Sequence, residues 1–154
     1  MKVLGIRAST SEIRYAILAK SDDGTIVFVN KDMEHKLVYP AGIDNIEQKL
    51  KWLKDEMLRV VRQNPDICKI VVKMNEYTGT ENGAKRETTY ADAIFLLVAA
   101  ENNIPIVRKL YTQIGASSRN VEERADHYVG KTGKYWNKKI ADAILCAYWE
   151  IRGM

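Results

Sequence analysis

Hydrophobic positions along the chain begin at a period of two. Residues 2–6 (KVLGI) are a short apolar run of strand formers, and in 12–19 Ile13, Tyr15 and Ile17 alternate onto one face. Asp23-Gly24, inside SDDGT, is the strongest short hairpin signal, and 25–30 (TIVFVN) continues as a third strand. The N-terminal part therefore reads as an antiparallel meander. Helical spacing follows: Ile46, Leu50, Leu53, Met57 and Val61 make one apolar stripe, with Asp44 and Glu47 in a capping-box pattern before it. Asn64-Pro65-Asp66 ends that helix, and the β-branched run 67–74 (ICKIVVKM) has the character of a buried parallel strand.

Residues 75–89 are polar and Gly-bearing and read as a loop that a ligand could order, carrying Glu76, Glu81 and Glu87. A second helix is expected from about Thr89 to Glu101 and a strand over 104–110, with Pro105 at its start or on an edge because it cannot donate to a ladder. A short helix near 118–129, a Gly/Lys turn and a last helix over 135–152 complete the pattern. The order β-β-β-α-β-α-β-α predicts an α/β fold: a five-stranded mixed sheet with helices on its faces, in a single domain spanning 1–154.

Composition narrows the class. At 154 residues the chain can bury a core without staples, and 46% apolar with 29% charged residues is ordinary for a globular protein. No apolar run approaches the ~20 residues that span a bilayer, and the N-terminus has no secretion-signal pattern, so no membrane partner and a cytoplasmic location are expected. Cys68 and Cys146 lack CxxC spacing and read as buried thiols in a reduced compartment. The formal charge of +4 permits an acidic partner. It is concentrated between His127 and Ala141, where no acid occurs and Lys131, Lys134, Lys138 and Lys139 fall.

This element order, with VLGI opening the first strand, IVVKMNE in the fourth and KKIADAILCAYW in the last helix, resembles the ribonuclease H-like superfamily. Within it the chain looks most like the Holliday-junction resolvase (RuvC-type) branch, and like small uncharacterised bacterial domains of the same shape. The resemblance implies hydrolysis of nucleic-acid phosphodiesters by two divalent cations about 4 Å apart, held by carboxylates from the first strand, the fourth strand and the last helix. The matching positions here are Arg7, then Lys73 (or Glu76 after a shift of three residues), then Lys139 and Asp142. A guanidinium cannot ligate a metal. Two acids among three bases leave a net positive charge, so the reading is a degenerate metal site with Glu76 and Asp142 as vestigial carboxylates and Arg7, Lys73 and Lys139 lining the cleft. Arg7 either contacts phosphate or pairs with Asp142.

The expected function is accordingly a pseudo-enzyme that binds nucleic acid or a protein partner, with no cofactor. The alternatives are a magnesium- or manganese-dependent nuclease with relocated carboxylates (Glu76, Glu81, Asp142, and Asp126 as a further ligand) and a structural homo-oligomer. HYVGKTGKYWNKK supplies the candidate nucleic-acid contacts Lys131, Lys134, Tyr135, Trp136, Lys138 and Lys139, cations for phosphates and aromatic faces for stacking. Its GKT is not a phosphate-binding loop, because the glycine that should precede it is Ala125. His35 and His127 have no triad-like partners and are given no catalytic role.

Overall fold

The computed structural model describes all 154 residues. Strand β1 (Lys2–Ala8) lies at the centre of the sheet, antiparallel to β2 (Glu12–Lys20) and parallel to β5 (Ile67–Lys73). The outer edge of β2 is shared by β3 (Ile26–Phe28) and β4 (Lys36–Val38), while β6 (Ile106–Lys109) runs parallel to β5 at the opposite edge. The Asp23-Gly24 turn joins β2 to β3, with Gly24 at φ +88°, a conformation that glycine takes without the Cβ penalty.

Strict alternation along the strands divides the apolar residues between two layers. Leu4, Ile6, Ile13, Tyr15, Ile70 and Val72 face helices α1 (Ile46–Gln63) and α2 (Gly83–Glu101), meeting Leu53, Met57 and Phe95 there. Val3, Ala16, Leu18 and Val71 face the other way, against α3 (Val121–Tyr128) and α4 (Lys138–Arg152). Burying each such Val, Leu or Ile contributes roughly 1.5–3 kcal/mol, so both layers are needed. The α4 layer is the closer one. A Cβ on Gly5 would stand 1.9 Å from the carbonyl oxygen of Ala143, so the residue opposite α4 must be glycine.

The mixed sheet with helices on its faces agrees with the expected fold class, and several boundaries differ for local reasons. Three residues are too few to show a period, so β4 adds a strand that the pattern could not reveal. Asn45, not Asp44, caps α1: its Oδ1 accepts from Gln48 N at 2.9 Å, and the Asp44/Glu47 capping box does not form. Helix α2 begins at Gly83 rather than near Thr89, because Asn82 accepts from Lys85 N and good helix formers follow. Asn137 likewise caps α4, so Tyr135 and Trp136 lie before the last helix. A 3-10 turn, Tyr111–Ile114, follows β6. Pro105 lies just before this edge strand, its carbonyl accepting from Ile70 N at 2.9 Å.

Because Gly5 has no space for a methyl group, Gly5→Ala should lower unfolding free energy by about 3 kcal/mol in urea denaturation. Gly42→Ala, which meets open space, should leave it within about 0.5 kcal/mol. Equal effects would show that α4 does not lie on β1 as described.

Candidate functional site

Cross-strand register sets five cations side by side. Lys36 on β4 is partnered by Arg14 on β2, Arg14 by Arg7 on β1, Arg7 by Lys73 on β5, and Lys73 by Lys109 on β6. Partnered residues point to one face, and here that is the α4 face, since Val3, Gly5 and Arg7 alternate onto it. The row lies at the carboxyl ends of the parallel strands, the ligand-binding end of open α/β sheets. The N-terminus of α4 adds its partial positive charge beside it.

Like charges directly opposite destabilise a sheet, so each member needs compensation. Arg7 Nε lies 3.3 Å from Oδ2 of Asp142, an ion pair whose N–H is not aimed closely enough to count as a hydrogen bond. Its Nη1 donates to the Lys73 carbonyl at 3.1 Å. Asp142, 1% exposed, is completed by the Tyr111 hydroxyl, which donates to Oδ1 at 2.8 Å. Burial pushes the Asp142 carboxyl up, opposed by Arg7, the Tyr111 hydroxyl, Lys73 and Lys139. Lys73 is also 1% exposed. Its Nζ donates to the Met74 carbonyl at 2.6 Å, sits 3.9 Å above the Tyr111 ring and lies 3.9 Å from Glu76 Oε1. Glu76 in turn accepts from Tyr111 N at 2.9 Å. Burial, and then the Arg7 charge, push the ammonium groups of Lys73 and Lys139 below their ordinary range.

Arg14 is the member that the sequence pattern hides. It is 1% exposed, with Nη2 donating to the Tyr135 carbonyl at 2.6 Å and Nη1 3.7 Å from Glu12. Nη2 also approaches His35 Nδ1 at 3.2 Å. A guanidinium only donates, so Nδ1 accepts and the neutral ring carries its proton on Nε2. Burial, and then Arg14, hold the His35 ring below its ordinary value. The alternation of Ile13, Tyr15 and Ile17 assigns Arg14 to a polar face; only α4 and the 129–137 turn, folded over that face, reveal it as buried.

The remaining expected residues separate into groups. Lys139 lines a recess of about 290 Å³ with Ser9, Thr10, Asn75, Lys85 and Thr88. Lys131, Lys134, Lys138 and Tyr135 are exposed, whereas Trp136 is half-buried and packs against the α4 core. Glu81 pairs with Arg86 at 3.3 Å, and Asp126 borders a different recess on α3. The loop after β5 is tied back by Lys85, whose Nζ donates to the carbonyls of Thr78 and Thr80. Cys68 is half-buried rather than buried; both cysteines are free thiols. Asp92 on α2 escapes the sequence pattern altogether. Its Oδ1 is buried without a partner, in a recess of about 350 Å³ shared with Glu76 and Arg108.

The residues at the strand ends do not fit two divalent cations. Guanidinium and ammonium groups occupy three of the matched positions, and both oxygens of Asp142 are engaged. No three His, Cys, Asp or Glu side chains cluster closely enough to hold a metal ion.

The fold is the ribonuclease H-like one, and the strand-end positions that the resemblance singles out are mostly basic. Among solved structures, the chain is similar to Thermus thermophilus RuvC in complex with a Holliday junction substrate (TM-score 0.75, 15% identity, covering 96% of this chain and 90% of that one). It is also similar to the yeast mitochondrial Holliday junction resolvase (0.64, 13%, 97% and 77%) and to Fowlpox virus resolvase with Holliday junction DNA (0.64, 12%, 99% and 98%). At these identities the likeness is one of fold. No protein-family model and no curated protein sequence matches the chain. The expectation of no cofactor does not stand against these comparisons, because the fold is shared with resolvases, to which the resemblance assigns divalent metal ions. No helix is long and apolar enough to cross a membrane.

Burial pushes the Asp92 carboxyl from 3.8 up to about 7, with Arg7, Arg108 and Lys73 pulling against it. An acid raised on folding contributes stability that is fully present below its unfolded pKa and lost as pH rises through the folded one. Wild type should therefore lose stability between pH 4 and pH 8 relative to Asp92→Asn. The two should match near pH 4, and the variant should be ahead by about 2 kcal/mol at pH 8, allowing for partial exposure. Parallel urea-denaturation profiles would contradict this.

Proposed function

We propose that this chain is a nucleic-acid-binding module built on a resolvase-like fold, gripping the phosphate backbone with basic residues where related enzymes cut it. One observation carries the reading. The row Lys36–Arg14–Arg7–Lys73–Lys109 exceeds the three carboxylates that touch it, Glu12, Asp142 and Glu76. At the same strand ends, where Ser9 follows β1 and Asn75 follows β5, a recess carries Lys85 and Lys139, with the exposed Lys138 next along α4. Such a site suits phosphate oxygens, which accept from several donors at once.

In this reading Arg7 and Asp142 hold β1 to α4, and the rim lysines with Ser9 and Thr10 take the strand. Hydrolysis is not the module's work: Asp142 is fully engaged, and the other matched positions carry the wrong sign. The solved neighbours bound to Holliday junction DNA support a nucleic-acid ligand, as does the local charge. The free thiols suit a reducing, cytoplasmic setting.

Fluorescence anisotropy with single-stranded, duplex and four-way-junction DNA at two or more salt concentrations tests the proposal. Binding should weaken steeply with salt, and replacing Lys85, Lys138 and Lys139 by Ala should reduce the log–log slope by about two for a single strand. No binding of any of the three at 50 mM salt would overturn the reading. So would cleavage of any of them with magnesium or manganese present that Asp142→Asn abolishes.

A further inference from the structure

Beside the cleft, on the β4 side of the sheet, lies a second recess of about 420 Å³, formed where the 31–35 segment meets the 133–135 turn. Its lining combines an aromatic ring (Tyr135, 59% exposed), a thioether (Met33, 71% exposed), two ammonium groups (Lys31, Lys134) and one carboxylate (Asp32). The volume is in the range of small-molecule sites. Met33 and Tyr135, both exposed, share this one cavity.

The turn is held in place from below. Tyr135 has φ +58°, a left-handed conformation that a bulky residue adopts under strain and that persists where the surroundings impose it. Here the constraint is the buried Arg14, donating to the Tyr135 carbonyl at 2.6 Å. Thr132, itself buried, fixes the same turn by donating to the Lys134 carbonyl at 2.8 Å. The result presents the tyrosine ring at the recess, with Lys36 Nζ 3.3 Å from its centroid.

We infer that this recess binds one unstacked nucleobase of a single strand, together with its adjoining phosphate; the inference rests on the nucleic-acid reading above and names a subsite of it. The tyrosine ring stacks on the base. Lys31 and Lys134 neutralise the phosphate, and Asp32 accepts from an exocyclic amino group, which favours cytosine over thymine. Continuity with the cleft is short: Tyr135 and Lys139 are four residues apart and at most about 14 Å even when extended. A strand leaving the cleft rim over Lys139 and Lys138 reaches the recess directly.

The sign of the strain supplies a clean variant. Tyr135→Gly removes the ring yet suits φ +58° better than tyrosine does, so the turn and its Arg14 contact persist. In amide NMR titrations of the whole chain, 5′-dCMP should shift residues 31–36 and 133–136. Tyr135→Gly should weaken that response tenfold or more, roughly the worth of one base–aromatic stack. Tyr135→Phe should retain it, 5′-dTMP should be weaker, and inorganic phosphate at equal concentration should not reproduce it. No shift of these residues by 5′-dCMP, or an equal shift in Tyr135→Gly, would overturn the inference. A response to a polyglutamate peptide but not to 5′-dCMP would assign the recess to a protein partner and also overturn it. Oligonucleotide binding that needs Lys85 and Lys139 but leaves these amides unmoved sinks the subsite and keeps the proposed function. A 5′-dCMP response in a protein that binds no oligonucleotide does the reverse.

Discussion

A single buried contact, Arg7 with Asp142, ties the central strand to the closing helix, and the rest of the site is arranged around it. Gly5 lets α4 approach β1 closely; two residues along the same face, Arg7 then meets Asp142 at 3.3 Å. In that dry position neither partner is tolerable alone, because an unpaired buried charge carries a desolvation penalty of several kcal/mol. The pair therefore acts as a register constraint. It fixes which turn of α4 lies over the strand ends, and with it the positions of Lys139 and of the turn that precedes the helix.

What the pair leaves over gives the site its character. Five cations stand in one rung of the sheet, and three carboxylates, two tyrosine rings and several backbone carbonyls answer them. The two rings do similar work at two members of the row, Tyr111 under Lys73 and Tyr135 under Lys36. Such a row is a liability for stability and an asset for attracting polyanions. The resemblance implies enzymes that concentrate negative charge at this end of the sheet to hold cations, and the same scaffold with the opposite sign suits phosphate itself. That inversion is the physical content of the proposed function.

Much of this fold can be read from the chain, and the reason is alternation. Ile13, Tyr15 and Ile17, the run 67–74 and the stripe from Leu53 to Val61 each carry their own period, and the mixed sheet follows from their order. Individual members of the site are visible too: Arg7, Lys73, Lys139 and Asp142 fall at positions where the resemblance leads one to look. The row itself is invisible, because it exists only through cross-strand register, and a period along one strand says nothing of its partner. Arg14 is hidden for the same reason, and Lys36 because its strand has three residues. Helix α2 starts earlier than the composition of 75–89 suggests, since one side chain, Asn82, decides it. Trp136 shows the converse case, an aromatic residue in a basic stretch that packs in part against the core.

The most direct measurement is a double-mutant cycle on the pair, following unfolding free energy for Arg7→Met, Asp142→Leu and the two combined. Each single change should cost about 3–5 kcal/mol by stranding the other charge, and the double variant should recover at least about 2 kcal/mol of the sum. Additivity within about 0.5 kcal/mol would mean that the two side chains do not meet, and the account built on their contact would fall.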